Sequence, residues 1–231
     1  MFRKLAGAII VAVIIIWVAT AIAGHFGASS QSSQPAAISP VTTPAPTPSD
    51  AAVSPAQAPA AGDFSIRSNS TPDIEVDDMH LSTGECHAIY PNAAAGDVLP
   101  DRSCTPGSID PAVTQANIHS TICASGYTSK VRPSSSVTSR YKVKSLAQYG
   151  LAYAHSTEYD HLISLELGGS SSTSNLWPEQ NHTGASNTTN PKDAVENKLA
   201  AAVCSGKTTL SAAQVAIATN WTTALSTLGI S

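Results

Sequence analysis

Charge is scarce in this sequence. Asp, Glu, Lys and Arg make up 12% of its 231 residues, about half the share usual in a globular domain. Aromatic residues are also few, at 5%. Ala, Ser, Thr, Pro and Gly fill the gap, so part of the chain lacks the apolar surface that folding needs. The net charge of −4 and a pI near 5.9 exclude a globally basic nucleic-acid coat, though not a local basic patch. Four cysteines, at 86, 104, 123 and 204, are too few for a disulfide-dense mini-protein. They contain no C-x-x-C pair, which argues against a zinc ribbon or a thioredoxin-type site. There is no G-x-S-x-G, so a serine nucleophile elbow is not encoded.

What is present begins with delivery. Arg3 and Lys4 precede an uncharged apolar run, Leu5 to Ala23. As a helix it would rise about 28 Å, close to the thickness of a bilayer's hydrocarbon core. A basic flank placed first keeps the N-terminus inside and sends the remainder out. Ala21-Ile22-Ala23 before Gly24 also fits a signal-peptidase site. Residues 1–27 therefore read as a signal anchor or a cleaved signal peptide. Residues 28–62 are rich in Ala, Pro, Ser and Thr and read as a disordered stalk. Residues 63–231 form the exported domain, in a cell envelope or secreted, and oxidising either way.

Within that domain the local signals are mixed. Cys86 and Cys104 flank a turn-rich loop, a sensible span for a disulfide. Cys123 and Cys204 would then pair, although four cysteines permit three connectivities. Asp110-Pro111 opens an expected short helix to Ile118. A second is expected over Val143–Tyr149, stopped by Gly150. Glu158 to Leu167 alternates like a strand. Asn175 to Pro178 looks like a shorter one, ended by proline. Helices follow from Pro191 to Val203 and from Ser211 to Leu225. Lys130, Arg132, Arg140, Lys142 and Lys144 fall in a stretch without an acid, a candidate track for a phosphate backbone.

The chemistry concentrates in Tyr159-Asp160-His161-Leu162-Ile163-Ser164-Leu165-Glu166-Leu167-Gly168-Gly169, followed by Asn175-Leu176-Trp177-Pro178-Glu179. One carboxylate here can hold a hard cation through oxygen. One neighbouring imidazole, mostly neutral at pH 7, can take a proton from water. A Gly-Gly turn and a return strand bring Asn175 back beside them. The helix after it offers Asp193, Glu196 and Asn197.

This pattern, Asp-His, two apolar residues, then Leu-Gly-Gly and Asn-Leu before a helix, resembles the HNH nuclease superfamily and its ββα-metal motif over about residues 157–205. The resemblance implies an α+β fold with a small ββα core and flanking helices. It implies an endonuclease that hydrolyses DNA or RNA phosphodiesters. His161 would be the general base, Asn175 the residue that fastens the loop between the strands, and Asp160 a metal ligand. No helix residue matches the family's remaining ligand; Glu196 is the first choice, with Asp193, Asn197 and the loop residue His182 behind it. The expected cofactor is one divalent cation, Mg²⁺ or Mn²⁺, with Zn²⁺ possible; the ion would neutralise the scissile phosphate. Ser164 stands where many members have proline, and the zinc-binding cysteine pairs of many members are missing.

The expected partners are nucleic acid as substrate and, if the N-terminal segment is uncleaved, the membrane; no protein partner is inferable. Two other readings compete. One is an inactive module of the same fold that holds nucleic acid or an anionic wall polymer. The other is a structural cell-envelope protein.

Overall fold

A computed structural model describes residues 64–69, 73–76 and 82–231. The expected anchor or signal segment and the expected stalk lie outside the described residues. Among the described residues no helix is long and apolar enough to cross a membrane.

The architecture is mixed α+β, with three two-stranded sheets and four α-helices among the described residues. β1 (Ser65–Ile66) pairs in parallel with β4 (Ser108–Ile109). β2 (Ile89–Asn92) and β3 (Asp97–Leu99) form an antiparallel pair. Two helices follow, α1 (Tyr127–Val131) and α2 (Ser135–Gln148). β5 (Thr157–His161) and β6 (Leu176–Gln180) make the antiparallel hairpin at the centre, followed by α3 (Pro191–Cys204) and α4 (Leu210–Thr227). Leu162, Ile163, Leu167, Trp177, Leu199, Val203, Ile217 and Trp221 are all buried in one core. That core joins the loop after β5 to β6, α3 and α4.

The helices at the C-terminal end follow from local signals. Asn190 caps α3, its side chain accepting from the Lys192 N–H at 2.8 Å, while Asp193 accepts from the Asn190 N–H at 3.0 Å. Pro191 occupies the first turn, where its missing N–H costs nothing. Thr209 caps α4. α4 breaks at Asn220, whose side chain accepts from the N–H and hydroxyl of Thr222 and so starts the second helical piece. The disulfides are Cys86–Cys104 and Cys123–Cys204, the latter tying α3's end to the segment before α1.

Four expected elements differ. The helix expected at Val143 begins at Ser135, because Pro133-Ser134 supplies an earlier start and α2 lies against the hairpin. The helix expected from Asp110 is displaced to a 3₁₀ segment, Gln115–Ser120. Asp110's carboxylate is spent on the N–H groups of Ala112 and Asn69, and the Thr114 N–H donates to Asn117 instead. The strand expected through Leu167 ends at His161, and Leu165–Leu167 is a 3₁₀ turn. The return strand runs through Pro178 rather than stopping there. Leu162 N–H donates to the Asn175 carbonyl at 2.7 Å. Alternation from that bonded pair makes Pro178–Tyr159 a non-hydrogen-bonded pair, so the ladder needs no N–H from the proline.

Candidate functional site

The connection from Leu162 to Asn175 shapes the site. Asn175 is fully buried and holds this loop with four hydrogen bonds. Its Oδ1 accepts from Ile163 N–H at 3.0 Å and Ser108 N–H at 3.3 Å. Its Nδ2 donates to Ile163 O at 3.0 Å and Ser170 O at 2.9 Å. The side chain thus replaces the ladder partners that Ile163 would have in a longer strand, which is why β5 ends where it does. Gly169 is forced by the same fold: a Cβ there would lie 1.7 Å from the Ile163 carbonyl oxygen. Buried serines line the loop, with Ser170 donating to Ser108 at 2.6 Å and Ser172 bonded to Ser174 at 3.0 Å.

His161 ends β5. Its Nε2 is 3.0 Å from the Ser171 hydroxyl. Ser171 is held in turn by its N–H to Asn69 Oδ1 at 2.8 Å and its carbonyl to Glu75 N–H at 3.0 Å. The ring is only 5% exposed. Burial, with help from the Arg132 and Lys192 charges and against Asp160, pushes its pKa down to about 4. The imidazole is therefore neutral at pH 7, with a free-base nitrogen of low proton affinity.

Strand alternation and the hairpin register put Glu158, Asp160 and Glu179 on the other face, toward α3. There Lys192 enters from the first turn of α3. Its Nζ donates to Asp160 Oδ2 at 2.5 Å and to the His161 carbonyl at 2.9 Å. It also donates to Glu196, one turn along the same helix, and lies 3.9 Å from Glu179 Oε2. Lys192 is 1% exposed. Burial opposes its charge, but Asp160, Glu196 and Glu179 outweigh it and hold the ammonium well above the ordinary lysine pKa. Asp160 is held below the usual carboxylate range: burial works against ionisation and the Lys192 ammonium overrides it. Glu196 is pushed up to about 8 by burial and the Asp160 charge, against Lys192. Glu179 is raised by burial, by the Asp160 charge and by a side-chain hydrogen bond with Asp160, against Lys192. Glu158, raised to about 7 by burial, then Asp160 and Asp193, completes the acidic face.

These positions test the expected metal set. Asp160 and Glu196 do converge, but on an ammonium. With Lys192 in place the donors do not fit a divalent ion. Among the described residues no group of three His, Cys, Asp or Glu side chains is disposed to hold one. The other candidates are engaged elsewhere. Asp193 caps its own helix, Asn197 donates to the Asp193 carbonyl, and His182 is exposed, with Nδ1 3.1 Å from the Thr183 carbonyl.

The basic stretch does not form one uniform track. Arg140 pairs with Asp73 at 3.6 Å and lies over the Tyr141 ring. Lys142 donates to the Thr157 carbonyl and sits 5.2 Å from the Tyr153 ring centre. Lys144 stacks on Tyr141, and Lys130 is exposed on α1. Arg132 is exposed, and its charge acts on both His161 and Glu158. Sequence reasoning missed Lys192, Glu179 and Ser171. The Lys192-x-x-x-Glu196 spacing, which puts both side chains on one helical face, was the available signal for the first.

Comparison with protein-family models, with curated proteins and with solved structures gives no match.

Proposed function

We propose that this chain is an exported HNH-type endonuclease domain that hydrolyses nucleic-acid phosphodiesters at the hairpin and α3, with His161 as general base. The observation that carries the reading is Asn175. It fastens the loop between the strands, which follows Asp160 and His161, through four bonds, the role the resemblance assigns to it. In the reaction a water oxygen attacks phosphorus and its proton passes to His161 Nε2. The P–O bond to the leaving oxygen breaks, and that oxygen takes a proton from solvent. A phosphate reaches Nε2 only by displacing the Ser171 hydroxyl. Asp160, on the opposite face of β5, favours by its charge the imidazolium that forms. Arg132, exposed and near enough for its charge to act on His161, would meet the incoming phosphate. The two disulfides support export to an oxidising compartment, anchored or secreted.

A second reading is favoured by the same imidazole. The ring is buried, held by Ser171 and weakly basic, which suits a domain that binds nucleic acid or an anionic wall polymer without cutting. Plasmid cleavage and salt-dependent DNA retention by wild type and His161→Ala separate the readings. The endonuclease cuts, and His161→Ala abolishes cutting with unchanged circular dichroism. Retention without cutting favours the binding module. Neither retention nor cutting leaves a structural envelope protein.

A further inference from the structure

We infer that the acidic cluster between the hairpin and α3 is a cation site whose resident cation is the Lys192 ammonium, so that the domain works without a divalent ion. Its independence from metal in phosphodiester cleavage rests on the endonuclease reading; its occupancy by lysine does not.

The argument starts from where the ammonium sits. Lys192 lies in the first turn of α3, where the helix dipole disfavours a positive charge. It is also buried, and an uncompensated buried ammonium is among the costliest groups a core can hold. Neither fact suits a lysine that is merely structural filler. Both are offset by what surrounds it: Asp160, Glu196, the His161 carbonyl and, at 3.9 Å, Glu179. These oxygen donors come from β5, β6 and α3, and removing the lysine would leave them buried around a centre without its positive charge. Glu179 stands on the same face: it is fully buried, interacts with the Asp160 carboxyl and lies 3.9 Å from Lys192 Nζ.

An ammonium and a metal ion cannot share this centre. A divalent ion takes carboxylate oxygens at about 2.0–2.6 Å, the space Nζ already occupies beside Asp160 at 2.5 Å. Admitting the ion would mean withdrawing a buried side chain and breaking its bonds to Asp160, Glu196 and the His161 carbonyl. Lys192 supplies one fixed positive charge to the acidic groups around it. It ties the backbone of the base-bearing residue to the helix. Lys192 is thus a positioning residue: it is buried and has no direct route to a phosphate.

The test uses the full chain in detergent, with Mn²⁺ as the probe. Binding is read from loss of the free-ion paramagnetic resonance signal. Wild type binds no Mn²⁺ at this site, and Lys192→Ala gains a one-to-one site that Asp160→Asn removes. One-to-one binding by wild type that Asp160→Asn weakens overturns the inference. So does a folded Lys192→Ala that binds no Mn²⁺. If Lys192→Ala fails to fold, the wild-type titration decides alone: no binding upholds the inference. Cleavage by wild type is expected to persist in excess chelator; loss in chelator with recovery on adding Mn²⁺ overturns the metal independence. Absence of cleavage under every condition sinks the endonuclease reading and leaves the Mn²⁺ titration to judge the lysine.

Discussion

Replacing Asn175 with alanine removes all four hydrogen bonds that hold the Leu162–Asn175 connection. The residue is fully buried, so no water takes over the lost partners. Each bond contributes about 1 kcal/mol net, and leaving the backbone groups of Ile163 and Ser170 unpaired adds to that. The expected loss is about 4 kcal/mol, a large share of the 5–15 kcal/mol that typically stabilises a domain. In a domain of this size it lowers the melting temperature by roughly 10 °C. Asn175→Asp is the sharper companion. It keeps two acceptors for the N–H groups of Ile163 and Ser108 but turns a carboxylate oxygen toward the carbonyls of Ile163 and Ser170. It should be at least as damaging as alanine. Urea unfolding of the oxidised protein, followed by fluorescence and far-ultraviolet dichroism together, measures both. A loss below about 1 kcal/mol for alanine would refute the claim that this side chain holds the loop.

Gly169→Ala should be worse still, more than about 4 kcal/mol or a failure to fold, because its Cβ meets the Ile163 carbonyl at 1.7 Å; a thermal melt close to wild type would contradict this. Ser164→Pro should stabilise. Its φ of −63° suits the proline ring and its buried hydroxyl has no partner; a gain of about 0.5–1 kcal/mol is expected in urea unfolding. His161 makes stability depend on pH. Its folded pKa near 4 lies below the unfolded value of about 6.5, so the unfolded chain alone binds the proton between them. Its contribution is whole above about pH 6.5 and is lost as pH falls toward 4, roughly 3 kcal/mol over the span. His161→Gln should lack this loss, and parallel stability–pH curves for the two proteins would count against a buried neutral imidazole.

The acid-and-imidazole pair was legible because its content is local: Asp160 and His161 are adjacent, and Gly168-Gly169 announces a turn. The α3 helix was equally legible, with Asn190, Pro191 and Asp193 spelling out its start. The end of β5 was not. Alternation continues through Leu167, and nothing in that stretch reveals that an amide far along the chain takes over the backbone groups of Ile163. The same holds for Lys192. Its neighbours mark it as a first-turn helix residue, a position normally solvated, whereas three carboxylates from two strands and its own helix draw it inside.

The sequence by itself determined what depends on neighbours along the chain. It set the apolar N-terminal run and the charge-poor stretch after it, the helix starts after Asn190 and Thr209, and the glycine turn. Tertiary structure alone decided which groups meet. It sent the amide of Asn175 to Ile163, shut the His161 ring behind Ser171, and brought Asp160, Glu179 and Glu196 around one ammonium. Local signals act through backbone sterics and hydrogen bonds a few residues long. The identity of the cation in an acidic pocket depends on distances between segments that only packing brings together.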